Sequence, residues 1–158
     1  MAYEGAARAA IVTLKFRSGR YLAPLMGEFM CAHLAARPLE ADVIVPVPLT
    51  PRRLRERGFN QAAILAEQVA AGLGLRVMND ALRREDRPSQ RTLSAAERAD
   101  NLRGAFTSVV DQRESIGGKR VLIVDDVVTT GATVSACADT LAEAGARQIL
   151  ALAFARDL

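Results

Sequence analysis

Two adjacent acids, Asp125 and Asp126, follow an apolar run at residues 121–124 and precede a turn rich in threonine. The run has the composition of a buried strand, which would deliver both carboxylates to its carboxyl end. Open α/β sheets bind their ligands at that edge. Carboxylates accept hydrogen bonds from sugar hydroxyl groups, and they also hold Mg²⁺ beside a polyphosphate. We therefore interpret Asp125 and Asp126 as a catalytic pair and as Mg²⁺ ligands, directly, through water or through the bound substrate.

The turn after the acids has the composition of an anion cradle. Thr129, Thr130 and Thr133 supply hydroxyl groups, and Gly131, followed by Ala132, lets the backbone approach a ligand. If a helix begins here, its first N–H groups and the positive end of its dipole add to the cradle. Such a cradle suits a phosphate monoester. A phosphate cradle beside acids that bind hydroxyl groups is typical of a site for ribose 5-phosphate. The ligand could also carry a metal-bound polyphosphate.

The segment does not carry the more widespread nucleotide-binding motifs. The sequence contains neither GxxxxGK[ST] nor GxGxxG, which excludes the P-loop and dinucleotide fingerprints. An ordinary acidic strand end followed by a capped helix is the remaining alternative. The occurrence of the apolar strand, the paired acids and the cradle together and in order favours a binding site.

Basic residues form two runs beside turn residues. The runs consist of Arg52, Arg53, Arg55 and Arg57, and of Arg83, Arg84, Arg87 and Arg91. Because guanidinium groups pair with phosphate oxygens, arginines on loops at a sheet edge could hold a polyphosphate; the alternative is solvated loop charge. The net charge of +3 fits nucleic acids and phosphorylated small molecules equally. No basic stripe is interleaved with aromatic residues, so direct nucleic-acid binding is not expected.

The scaffold that must position these groups is predicted to be α/β. Runs typical of strands lie at residues 43–47, 75–78, 106–110, 121–124 and 149–154. The strand, helix, strand order over residues 121–154 favours a mainly parallel sheet with helices on both faces. Asn60 is a good helix N-cap, residues 84–90 have the composition of a loop, and residues 94–103 begin with a capping box. At 158 residues the chain is the size of one domain.

The first third of the sequence has helical character, with a break at Ser18 and Gly19. An apolar stripe in the second helical segment should face the core, and it consists of Leu22, Leu25, Met26, Phe29 and His33. His33 is interpreted as packed or partly exposed, because no partner for acid or base chemistry is evident.

The two cysteines, Cys31 and Cys137, are interpreted as reduced core thiols, since they have no CxxC partner. No apolar run approaches the roughly 20 residues that span a bilayer, and the charged start lacks the pattern of a signal peptide. We expect a cytoplasmic protein without membrane contact.

Three segments carry a family resemblance. VLIVDDVVTTGAT at residues 121–133 resembles the signature of type I phosphoribosyltransferases for phosphoribosyl pyrophosphate (PRPP). VPVPLTPRRLRERGFNQ at residues 45–61 and QRTL…R…N…GAF at residues 90–106 are similar to segments of the ComF family (competence protein F and GntX-like proteins). Longer ComF-like proteins begin with a cysteine-rich zinc-binding segment, which this sequence does not show.

The resemblance implies the type I phosphoribosyltransferase fold, an α/β domain over residues 1–158. It would have a small helical hood in residues 1–40 and a PRPP-binding core with a five-stranded sheet in residues 41–158. The 5-phosphate would lie on residues 129–133. The implied pyrophosphate loop, residues 46–53, contains Pro48, Arg52 and Arg53, and the implied flexible loop, residues 84–103, contains Arg84, Arg87 and Arg91.

The implied activity is transfer of a phosphoribosyl group from PRPP to a nucleophile, with release of pyrophosphate and with Mg²⁺ as cofactor. The alternative is a non-catalytic PRPP-binding regulator or an accessory protein of DNA uptake, with proteins of the competence machinery as partners. A homodimer is compatible with either function. The sequence does not name the acceptor.

Overall fold

The computed structural model describes residues 1–86, 104–109 and 115–157. Its helices are α1 (Gly5–Leu14), a 3₁₀ helix (Arg17–Leu22), α2 (Ala23–Ala36), α3 (Pro51–Arg57), α4 (Gln61–Leu73) and α5 (Ala132–Glu143). Its strands are β1 (Val43–Pro46), β2 (Arg76–Val77), β3 (Leu82–Arg84), β4 (Phe106–Ser108), β5 (Arg120–Val128) and β6 (Gln148–Arg156). Among these residues, no helix is both long and apolar enough to cross a membrane.

The main sheet is parallel, with the strand order β2-β1-β5-β6. In the described part of the chain it has four strands, whereas the family resemblance implied five. A turn at Asn79 and Asp80 takes the chain away from this sheet after β2. Strand β3 then pairs with β4 in a separate antiparallel ribbon. The predicted strand, helix, strand unit at the end of the chain is confirmed.

Helices cover both faces of the sheet, as predicted, because alternate residues of each strand point to opposite faces. Leu122 and Val124 of β5 pack with α1, α2 and α4 in one core cluster. Val121 and Ile123 pack with α5 and with the β3–β4 ribbon in the other. Much of residues 1–40 is helical as expected, and the buried apolar side chains of this segment belong to the first cluster.

Helix α2 is rotated relative to the predicted stripe. Leu25 and Phe29 are 52% and 53% exposed, and His33 is also exposed, whereas Met26 and Met30 are buried. The reason is Gly27, where an added Cβ would lie 2.4 Å from the Cβ of Gln68 on α4. Gly27 lets α2 approach α4 closely, and Gly27 is buried together with Met26 and Met30.

Both cysteines are free thiols. Cys137 is completely buried, and burial raises its pKa to about 12, so it is an unreactive core residue as predicted. Cys31 is only half-buried, beside Gly72 of α4.

Candidate active site

The two predicted catalytic acids lie within strand β5, not after its end. The strand continues to Val128 because its backbone pairing with β6 continues through Asp125 and Val127. A ladder of backbone hydrogen bonds does not require apolar side chains, so the end of the apolar run did not mark the end of the strand. Both acids are buried, with exposed fractions of 9% and 6%.

Asp125 lies on the α5 side of the sheet. Its Oδ1 accepts a 2.8 Å hydrogen bond from the backbone N–H of Asp126, and its charge acts on Arg84 and on Cys137. Burial raises the pKa of Asp125 to about 8, and the neighbouring carboxylate of Asp126 adds to this effect. Asp125 therefore resists carrying a full negative charge beside Asp126.

Asp126 lies on the opposite side, among residues of α1 and α4. The Nζ of Lys15 is 3.4 Å from Oδ2 of Asp126, an ion pair without hydrogen-bond alignment. The Nε2 of Gln61 donates to Oδ1 over 3.5 Å, and Oε1 of Gln61 accepts from Nη1 of Arg57 over 2.8 Å. Within the described ranges, Oδ2 is a buried oxygen that accepts no hydrogen bond.

The predicted cradle follows strand β5 and opens helix α5. Gly131 is the N-cap of α5 and has a φ of 80°, a left-handed conformation that favours glycine. The backbone N–H of Ala132 donates to Oγ1 of Thr130 over 3.4 Å. Thr129 and Thr133 line the same cavity as the acids. The segment thus forms the predicted turn at the amino end of a helix.

A cavity of about 260 Å³ brings most of the predicted site residues together. Asp125, Asp126, Thr129, Thr133, Pro48, Arg53 and Arg84 line it. Arg57 of the first arginine run lines it as well, and so do three polar residues that were not predicted as site residues: Tyr3, Lys15 and Gln61. The cavity therefore combines two acids, hydroxyl groups and several cations.

The first arginine run lies on helix α3, not on a loop. Thr50 caps the helix by accepting from the N–H of Arg53, Pro51 begins it, and Gly58 ends it with a φ of 77°. This capping pattern was readable in the sequence and would have predicted the helix. The helix separates neighbouring arginines, so Arg53 lines the cavity whereas Arg52 does not.

The side chain of Arg52, which was predicted to bind pyrophosphate, points away from the site. It is 76% exposed, and its Nε donates to Oε1 of Glu56 over 2.8 Å. Only its backbone N–H is engaged near the site, where it donates to Oδ2 of Asp86 over 3.0 Å.

Arg84 belongs to strand β3, although the sequence analysis placed it in a loop. Its guanidinium lies 5.2 Å from the centroid of the Phe106 ring. Burial lowers the pKa of Arg84, and the positive charge of Arg53 lowers it further, so two guanidinium groups face the cavity close to each other. Arg87 and Arg91 lie outside the described residues, as does the predicted helix at residues 94–103.

Of the site residues that were not predicted, Tyr3 and Lys15 come from a part of the sequence that carries no local motif. Lys15 is the C-cap of α1, and nothing around it in the sequence indicates a ligand. Gln61 follows the N-cap Asn60, which also donates from Nδ2 to the carbonyl oxygen of Val47 over 2.9 Å. A signal for Gln61 was present, since it closes the ComF-like segment at residues 45–61.

Known proteins share the sequence features of this chain. A family model described as phosphoribosyl transferase domain matches residues 27–157. Competence protein F of Haemophilus influenzae is 37% identical over 116 residues, which cover 73% of this chain and 50% of that protein. DNA utilization protein YhgH of Escherichia coli K12 is 37% identical over 118 residues, covering 74% and 50%. Competence protein ComFC of Streptococcus pneumoniae is 32% identical over 112 residues, covering 71% and 47%.

Solved structures share the fold. Glutamine PRPP amidotransferase from B. subtilis, complexed with ADP and GMP, superposes with a TM-score of 0.55 at 24% identity, over 84% of this chain and 26% of that chain. An allosteric regulatory enzyme of purine biosynthesis superposes with a TM-score of 0.55 at 26% identity, over 86% and 26%. The chain spans about half the length of the curated relatives it matches. It belongs to the phosphoribosyl transferase domain family and, through these relatives, to the ComF group.

Proposed function

We propose that this chain binds PRPP in the cavity between β5, α3 and α5 and transfers the phosphoribosyl group to a nucleophile, with release of pyrophosphate. One observation carries the proposal: the buried acid pair, the threonine cradle and the arginines line a single cavity. These are the groups that sugar hydroxyls, a phosphate monoester and a polyphosphate each require. They come from separate parts of the sequence.

The cradle would hold the 5-phosphate. The hydroxyl groups of Thr129 and Thr133 line the cavity, and the first N–H groups of α5 add the positive end of the helix dipole. Asp125 and Asp126 would accept hydrogen bonds from the ribose hydroxyl groups. Binding at both ends would fix the position of the sugar before any bond breaks.

The pyrophosphate would lie against Arg53 and Arg84. Burial lowers the pKa of Arg84 and the positive charge of Arg53 lowers it further, so the two guanidinium groups repel each other in the free protein. An anion between them would remove this repulsion and form charge-assisted hydrogen bonds with both. The same two side chains would stabilise the negative charge that builds up as the C1–O bond breaks.

The residues of the acid pair fit a magnesium ion that shares its ligands with the substrate. Mg²⁺ prefers carboxylate, phosphate and water oxygens, and Asp126 offers a buried oxygen that accepts no hydrogen bond within the described ranges. No cluster of three or more acids, histidines or cysteines that could hold a metal occurs among the described residues. Bound Mg²⁺ would neutralise charge on the leaving pyrophosphate, so we propose Mg²⁺ as a cofactor held jointly by the acids and PRPP.

The acids would also stabilise the reacting sugar. Positive charge builds up on the ribose ring as pyrophosphate departs, and a buried acid in its ionised form would favour that charge more than it would in water. Asp125 and Asp126 would therefore act most strongly in the transition state, which is the condition for catalysis.

The second candidate is a PRPP-binding regulator that transfers nothing. The names of the relatives favour it, because they refer to competence and to DNA utilization and not to a transfer reaction. Such a protein would keep the same cavity and act through partners in DNA uptake. Homodimer formation and the cytoplasmic location stay predictions for both candidates.

The test has two steps. PRPP is first titrated into the protein by calorimetry with and without Mg²⁺, where saturable binding is expected. Pyrophosphate release is then measured over a panel of nucleobases and amines. Release that depends on one acceptor supports the transferase, binding without release supports the regulator, and the absence of PRPP binding contradicts both.

A further inference from the structure

Lys15 stands out because the roles proposed above leave it unused. Its ammonium group is 3.4 Å from the carboxylate of Asp126, and its side chain is only 30% exposed. The carboxylate side chain is 8% exposed, and its Oδ2 accepts no hydrogen bond within the described ranges. Lys15 therefore interacts with this buried oxygen through its positive charge and not through a hydrogen bond.

The backbone of Lys15 is held firmly in place. Ile11 and Leu14 of α1 are completely buried, and the N–H of Lys15 continues the helix by donating to the carbonyl oxygen of Ile11 over 3.2 Å. After Lys15 the chain folds back so closely that a Cβ on Gly19 would lie 1.9 Å from the carbonyl oxygen of Thr13. The ammonium group of Lys15 lies beside Asp126, and Lys15 lines the cavity.

The location also suits a cation. Lys15 ends α1, where the negative end of the helix dipole stabilises positive charge. Gln61 contacts the other oxygen of Asp126 and is itself bonded to Arg57. Asp126 is therefore surrounded by donors and cations on the α1 and α4 side.

We infer that Lys15 is the internal counter-ion of Asp126 and makes uptake of Mg²⁺ depend on the substrate. In the free protein, Lys15 occupies the place beside Asp126 that a metal ion would otherwise take, and its charge repels a second cation. With PRPP present, phosphate oxygens supply further ligands and negative charge, and the protein binds the substrate and the metal together. Lys15 is thus a specificity-determining residue that excludes metal from the empty site. The role of the metal in the loaded site rests on the proposed function.

The experiment measures metal binding in the absence of PRPP. MgCl₂ is titrated into the wild type and into Lys15→Met, which keeps the apolar stem and removes the charge. The binding of Mg²⁺ alone is followed by calorimetry, and that of Mn²⁺ by water-proton relaxation. We expect at least about ten-fold tighter metal binding by Lys15→Met, which is a readout independent of activity.

The chain offers matched controls, because its two lysines, Lys15 and Lys119, lie at opposite ends of the sheet. Lys119→Met loses the same charge far from Asp126 and should bind metal as weakly as the wild type. Lys15→Arg keeps the charge and should also behave like the wild type. If Lys15→Met does not fold, Lys15→Gln takes its place in the same titrations.

Equal metal affinity of the wild type and folded Lys15→Met or Lys15→Gln would overturn the inference. So would tight binding of Mg²⁺ alone by the wild type, or an equal gain in Lys119→Met. A separate PRPP titration of the wild type tests the proposed function. Because the metal titrations contain no PRPP, failure of either idea is recognised without reference to the other.

Discussion

Replacing Arg53 with methionine removes a guanidinium that lines the cavity and keeps most of the side-chain volume. A hydrogen bond to a charged group contributes about 1.5–3 kcal/mol, so its loss corresponds to about 10- to 150-fold weaker PRPP binding. Part of this loss is offset, because the substitution also relieves the repulsion between Arg53 and Arg84. We therefore expect the lower part of that range, about 10- to 30-fold.

The matched control is Arg52→Met, one position earlier on α3. It removes the same charge, but its side chain is 76% exposed and pairs with Glu56 on the surface. Such exposed pairs contribute little because water screens their charges, and the backbone N–H that donates to Asp86 stays in place. Calorimetric titration with PRPP and Mg²⁺ compares the two variants. Equal losses of PRPP affinity in both variants would refute the placement of the pyrophosphate, since Arg53 lines the cavity and Arg52 does not.

Three further predictions concern stability and the cradle. The native state keeps a proton on Asp125 up to its raised pKa of about 8, whereas the unfolded chain releases that proton near pH 4. The free energy of unfolding should therefore fall as the pH rises from about 4 to about 8. Urea titrations at several pH values should show a decrease of at most about 1.4 kcal/mol per pH unit. The variant Asp125→Asn should not show this decrease. Gly131→Ala and Gly74→Ala both strain a left-handed residue, so both should lower the melting temperature, but only Gly131→Ala should weaken PRPP binding. Gly27→Ala should lower the free energy of unfolding by about 1–3 kcal/mol. Gly72→Ala should lower it less, because its added methyl group meets the flexible end of Cys31. Equal chemical denaturation curves for the two variants would contradict this.

The parts of the fold that were predictable depend on local chemistry. The strands around Val45 and Ile123 and the helix capped by Asn60 were recognisable because composition and capping act within a few residues. The acid pair and the cradle were recognisable for the same reason, since they follow one another in one segment. Helix α3 was not predicted although Thr50 and Gly58 mark its ends, because it buries no residue and therefore has no apolar stripe.

Other features depend on contacts between distant segments. The buried face of α2 is set by the approach of Gly27 to α4, which no periodicity within α2 reveals. Strand β3 exists because it pairs with β4, so the polar residues around Arg84 gave no sign of a strand. Lys15 reaches Asp126 only because α1 packs on one face of the sheet.

The adjacent acids of β5 point to opposite faces of the sheet, and each is surrounded by a different helical layer. Asp125 is near Arg84 and Cys137, while Asp126 is near Lys15 and Gln61. A substitution in α1 or α4 therefore changes the direct contacts of Asp126, whereas the residues packed around Asp125 on the other face stay in place. Changes in separate parts of the protein can consequently alter the ligand contacts of each carboxylate during evolution, while the strand that carries both stays the same.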